Sequence, residues 1–102
     1  MSSIKMRANA DGDVITVKAL ISHPMETGLR KDKAGKLIPA DFIQEVSCEH
    51  NGVAVLTAQW GTAISKNPYL SFRFRGGKAG DTLKLSWKDN TGKTDSTETV
   101  IK

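Results

Sequence analysis

Apolar and polar positions alternate along most of this chain. In Val14–Ile21, the residues Ile15, Val17, Ala19 and Ile21 share one side of an extended backbone. In Tyr69–Arg75, Leu70, Phe72 and Phe74 alternate with Ser71, Arg73 and Arg75, and in Thr82–Lys88, Leu83, Leu85 and Trp87 alternate with Lys84 and Ser86. Period two marks a strand with one buried face, because successive side chains of an extended chain point to opposite sides. The β-branched and aromatic content of these runs agrees with that reading.

Turn chemistry separates the runs. Asn51-Gly52 lies between two strand-like segments and is a strong hairpin signal, since a type I′ turn needs positive φ twice. Asp89-Asn90-Thr91-Gly92, Gly76 to Asp81 and Ala10-Asp11-Gly12-Asp13 punctuate the chain in the same way. The pattern predicts seven strands, at about 4–8, 13–22, 42–50, 53–60, 69–75, 82–88 and 93–101. A helix over 38–46, starting at Pro39 with Phe42, Ile43 and Val46 as its apolar face, ranks below a strand, because the Asn-Gly turn needs a partner strand there. Seven short antiparallel strands in 102 residues point to an immunoglobulin-like antiparallel β-sandwich forming a single domain over 1–102. The alternative is a small oligonucleotide-binding-type barrel, which usually has five strands.

Composition adds exclusions. No segment approaches the ~20 apolar residues of a membrane span. Met1–Arg7 carries no apolar leader, so the chain is expected to stay in the cytoplasm, to have been trimmed, or to travel with something else. The net charge of +4 is compatible with an anionic partner without demanding one. A single cysteine, Cys48, allows no internal disulfide and no thiolate zinc site, and only two histidines, His23 and His50, remain to recruit.

The connection "HPMETGLRKDKAGKLIPADF", His23–Phe42, is long beside the ~4–6 residues of most loops. His23 and Glu26 have base–orienter spacing, but no activated nucleophile sits beside them; the simpler role for His23 is shaping the strand end before Pro24. Cys48 shares a strand face with Val46 and His50 and is expected to be buried and inert. Arg30, Lys31, Lys33 and Lys36 form a cationic cluster opposed only by Asp32. It reads as a solvated loop tip or as a grip on an acidic partner. Nucleic-acid binding fits poorly, because no aromatic is interleaved with these cations, and Phe72 and Phe74 are expected in the core. Gly76-Gly77-Lys78-Ala79-Gly80 joins strand to strand and lacks the helix that a phosphate loop needs.

Two blocks go further than pattern: "HPMETGLRKDKAGKLIPADFI", and "NPYLSFRFRGGKAGDTLKLSWKDNTG" from Asn67 to Gly92. With the first strand pair, "IKMRANADGDVITVKALISHPMETG", they resemble the SoxZ family of bacterial sulfur oxidation across essentially the whole chain. The resemblance implies an immunoglobulin-like sandwich with no catalytic residue, no metal and no cofactor. It implies a tight heterodimer with SoxY, whose glycine-rich arm carries the cysteine that bears the sulfur intermediate, and transient contact with other Sox enzymes. It also implies a periplasmic location reached by co-export with SoxY, with no nucleic acid and no membrane as partner. Cys48, flanked by Ser47 and Glu49, has none of the glycines of such an arm, so this chain is not expected to be the carrier itself. On this reading His23, Met25, Glu26, Arg30 and Lys31 are the candidate partner-binding residues, and Trp60, Tyr69 or Trp87 the candidate aromatic anchors. The competing expectations are a β-barrel nucleic-acid-binding module, and a small enzyme using His23 and Glu26 with Cys48.

Overall fold

A computed structural model describes residues 3–102; the leader reading over Met1–Arg7 falls partly on Met1 and Ser2, outside the described residues. The strands are β1 (Ile4–Asp11), β2 (Val14–Ile21), β3 (Ile43–His50), β4 (Val53–Gln59), β5 (Tyr69–Arg75), β6 (Thr82–Asp89) and β7 (Thr94–Val100). They form two antiparallel sheets, ordered β1-β2-β5 and β4-β3-β6-β7. This is an immunoglobulin-like sandwich in which β4 pairs with β3 in the larger sheet, unlike the constant-type order that places the fourth strand with the first two. Two separate sheets exclude the barrel, and the 38–46 segment leads into β3 rather than into a helix.

The hairpins follow from their turn residues. Asn51 and Gly52 take φ of 48° and 87°, the double positive φ of a type I′ turn, between β3 and β4. Gly12, at φ 63°, is the first central residue of the two-residue turn between β1 and β2, where a primed turn again matches the strand twist.

The alternating positions meet between the sheets. Ile15, Val17, Ala19 and Ile21 of β2 face Leu83, Leu85 and Trp87 of β6, with Ile43, Val46 and Cys48 from β3. A register shift between Ile43 and Glu45 lets Ile43 and Val46 both point inward across three positions. Phe72 and Phe74 also face inward but are only half-buried, because β5 is an edge strand. The molecule measures 54 × 24 × 20 Å, and an eight-residue strand spans only ~27 Å. Its radius of gyration, 15.5 Å, exceeds the ~13 Å of a compact chain this size. Connections at the sandwich ends supply the rest of the length.

Candidate functional site

The β2–β3 connection is a hairpin. Glu26 and Asp41 exchange both backbone hydrogen bonds (N–H to O, 2.7 and 3.0 Å). Further out, the Ile38 amide donates to the Arg30 carbonyl at 2.8 Å, and the Asp32 amide to the Lys36 carbonyl at 2.8 Å. The tip closes on Asp32, whose Oδ1 accepts from the amides of Ala34 and Lys36 at 2.8 and 3.0 Å. This is the side-chain turn that aspartate makes readily. Gly28, at φ 86°, brings the two arms together; a Cβ there would lie 3.2 Å from the Ala40 Cβ.

Two asparagines fix the root. The His23 amide donates to Asn67 Oδ1 and the Asn67 amide to the His23 carbonyl, both at 3.0 Å. Asn90 accepts from the Phe42 amide at 2.8 Å, donates its own amide to the Phe42 carbonyl at 3.0 Å, and donates Nδ2–H to the Ala40 carbonyl at 3.0 Å.

Under the root sits His23, 4% exposed. Its Nδ1 accepts from the Met25 amide at 3.1 Å, which puts the imidazole proton on Nε2. Nε2 lies 3.1 Å from Asp89 Oδ2 and 3.4 Å from Asp41 Oδ1. The ring meets Trp87 edge-on, centroids 5.0 Å apart. Asp89 is 1% exposed. Its Oδ1 accepts from the Thr91 amide and hydroxyl and from the Lys93 amide, at 3.0, 2.6 and 2.9 Å. Burial raises the Asp89 pKa, but the bonds from Thr91, His23 and Lys93 outweigh it and hold the carboxyl at about 2.

His23, Asp41 and Asp89 bring three ligand atoms within 4.8 Å of one another, a spacing that a metal ion could use. The hydrogen bonds oppose that use. A metal on Nε2 would move the proton to Nδ1, against the Met25 amide that already donates there, and Asp89 Oδ1 is occupied by three donors. The cluster is a structural knot that ties the hairpin root to the end of β6.

The candidate residues therefore separate. His23 and Met25 face inward, with Met25 at 5% exposure and its sulfur accepting the Ile43 amide at 3.4 Å, so neither side chain offers a docking surface. Glu26, Arg30 and Lys31 stay on the hairpin surface. Arg30 grips Glu26 with two hydrogen bonds, one of them Nε–H to Oε2 at 3.1 Å, and that contact lowers the Glu26 pKa and raises that of Arg30. His23 and Glu26 thus have different partners and do not form a base–orienter pair. Cys48 is fully buried on β3, where desolvation and then Glu49 push its thiol up to about 11; nothing there activates it. Trp87 is buried, donating Nε1–H to Ser3 Oγ at 3.1 Å, and is not available as an anchor; Trp60 is half-buried and Tyr69 exposed.

Sequence reading missed Asp89, assigning it to a turn. The signal was present in the phase of two strands: Ile15 through Ile21 continues inward to His23, and Leu83 through Trp87 continues inward to Asp89. It missed the hairpin's apolar component as well, for Leu29 and Leu37 are 82% and 59% exposed.

The fold and the hairpin define a two-sheet immunoglobulin-like module with a projecting, mixed cationic and apolar loop. The family model described as "Sulphur oxidation protein SoxZ" matches residues 4–100, and the chain belongs to that family. Its role is in sulfur oxidation. A comparison with curated proteins gave no match.

Proposed function

We propose that the chain is the non-catalytic subunit of a heterodimeric sulfur carrier, paired with SoxY and helping to present the sulfur adduct on the SoxY cysteine to partner enzymes. The observation that carries this reading is the hairpin. Leu29 and Leu37 lie in the open beside Arg30, Lys31, Lys33 and Lys36, on a loop with no core of its own. Exposed apolar residues rimmed by charge mark an interaction surface. The cations suit an acidic docking surface or an anionic sulfur adduct, whose approach they would steer. Catalysis is left to the partner, since among the described residues His23, Glu26 and Cys48 are each committed elsewhere. A periplasmic location, reached by export together with SoxY, belongs to the same proposal.

The test is to mix the purified chain with its SoxY and follow mass by light scattering during gel filtration. A one-to-one complex is expected; two separate monomers would sink the heterodimer. Leu29→Ser/Leu37→Ser should fold normally, because neither side chain is buried. That variant should lose sulfur-oxidation turnover in the reconstituted system if the hairpin presents the adduct. Unchanged turnover would remove the hairpin from the proposal.

A further inference from the structure

The two outer faces of the sandwich carry charge differently. On the four-stranded sheet, opposite charges face each other across the strands: Glu45 opposes Lys88, and Lys84 lies between Glu49 and Glu98. Such pairs stabilise a sheet, and with three carboxylates against two lysines this face carries no excess of cations. On the three-stranded sheet the outward positions hold Lys5, Arg7, Lys18, Arg73 and Arg75, with one carboxylate, Asp11, at the end of β1. Five cations against one carboxylate give this face a net charge equal to that of the entire chain. Arg7 stands directly opposite Lys18 in the register. Like charges in that position destabilise a strand pair. None of the five cations takes part in an ion pair among the described residues. At one end of the face, Leu20 pairs with both Lys5 and Tyr69, and Tyr69 is 62% exposed.

We propose that the outer face of the β1–β2–β5 sheet docks a protein partner with an acidic surface. A cross-strand cation pair that opposes stability, on a face with no compensating acid beside it, fits a surface completed by charge from outside. An aromatic with an aliphatic neighbour supplies the anchor that such interfaces favour. A protein is favoured over nucleic acid because Tyr69 is the one aromatic pointing outward here, Phe72 and Phe74 facing the core, so no row of stacking platforms exists. The mainly charged composition suits transient, electrostatically steered docking rather than a permanent apolar interface. This face lies on the sandwich itself, not on the β2–β3 hairpin, and the inference does not depend on the heterodimer.

The test uses the full chain and two probes: a short peptide of alternating glutamate and serine, and oligothymidylate of the same net charge. Amide chemical-shift changes on adding the peptide should cluster on Arg7, Lys18 and Arg73. Changes confined to the hairpin, or spread equally over Lys84 and Lys88, would overturn the assignment. Lys18→Glu places an acid opposite Arg7; it should raise the melting temperature while weakening the peptide by about tenfold, the scale on which a lost steering charge acts. Lys84→Glu on the other sheet should leave peptide affinity unchanged. A Lys18→Glu protein that binds like the parent would overturn the proposal, as would oligothymidylate binding more tightly than the peptide at physiological salt.

Discussion

His23 donates Nε2–H to Asp89 Oδ2 across 3.1 Å, and both side chains are buried where β2 and β6 run out. Each is the next inward position of an otherwise apolar strand face. The pair thus closes the end of the sandwich with a hydrogen bond where the core would otherwise meet the hairpin root. An isolated buried carboxylate is costly, and Asp89 is tolerable because four donors surround it.

Removing the acceptor should show this directly. Asp89→Ala would strand the buried His23 Nε2–H, at ~1–3 kcal/mol for a buried unsatisfied group, and would hand the Thr91 and Lys93 amides, which lie on exposed residues, to water, so an overall loss of about 2 kcal/mol is expected. Asp89→Asn keeps an oxygen for the turn amides and should lose less. Urea unfolding of the three proteins measures the difference; equal midpoints would mean that the turn and the imidazole find other acceptors.

Acid should act through the same carboxyl. The folded pKa of Asp89 is about 2, below the ordinary aspartate value of 3.8. A depressed folded pKa means that the stabilisation is fully present above about pH 4 and is lost as pH falls through 2. The shift corresponds to about 2 kcal/mol. Urea midpoints at about pH 5 and near pH 2.5 should fall further for the parent than for Asp89→Asn, whose amide does not titrate. Parallel falls would assign the acid sensitivity to other carboxylates.

All seven strands were legible in the sequence, because β1, β2, β5 and β6 alternate and the others are marked by the glycine and asparagine turns beside them, β3 and β4 by Asn51-Gly52 although β3 carries a register shift. Ile15 to Ile21 and Leu83 to Trp87 needed no tertiary knowledge. The site was legible only in part. His23 and Met25 lie within the most distinctive motif of the chain, yet that motif is largely structural: both side chains lock the hairpin root from beneath. Asp89 was hidden because Asp-Asn-Thr-Gly is also a turn sequence, and turn chemistry and inward phase coincide on one residue. The hairpin itself depends on backbone pairing between Glu26 and Asp41, fifteen positions apart, for which no local periodicity exists.

Cys48 should resist thiol reagents in the folded protein. Its side chain has no exposed surface, and with a pKa of about 11 roughly one thiol in a thousand is ionised near pH 8. Reaction with an aromatic disulfide reagent should proceed at the rate of unfolding and become immediate in denaturant. Cys48→Ala should retain sulfur-oxidation turnover at a modest stability cost of ~1 kcal/mol, the scale of a small cavity. Rapid labelling under native conditions would show that β3 opens locally.

Gly77 tests how closely the β5–β6 connection seals the core. A Cβ there would lie 2.5 Å from Ile15 Cγ1 and 3.3 Å from Phe74 Cε2, and Ile15 is fully buried. The glycine is required by this close approach, not by the anion grip that its Gly-Gly-Lys setting superficially suggests. Gly77→Ala should cost ~1–3 kcal/mol, as overpacking does. Ile15→Ala alone should cost ~2–5 kcal/mol through the cavity it leaves. Because that cavity would receive the new methyl, the double variant should be more stable than the sum of the two losses implies, by an interaction energy of at least ~0.5 kcal/mol. Strict additivity in urea unfolding would show that the connection moves away from Ile15 instead of pressing on it.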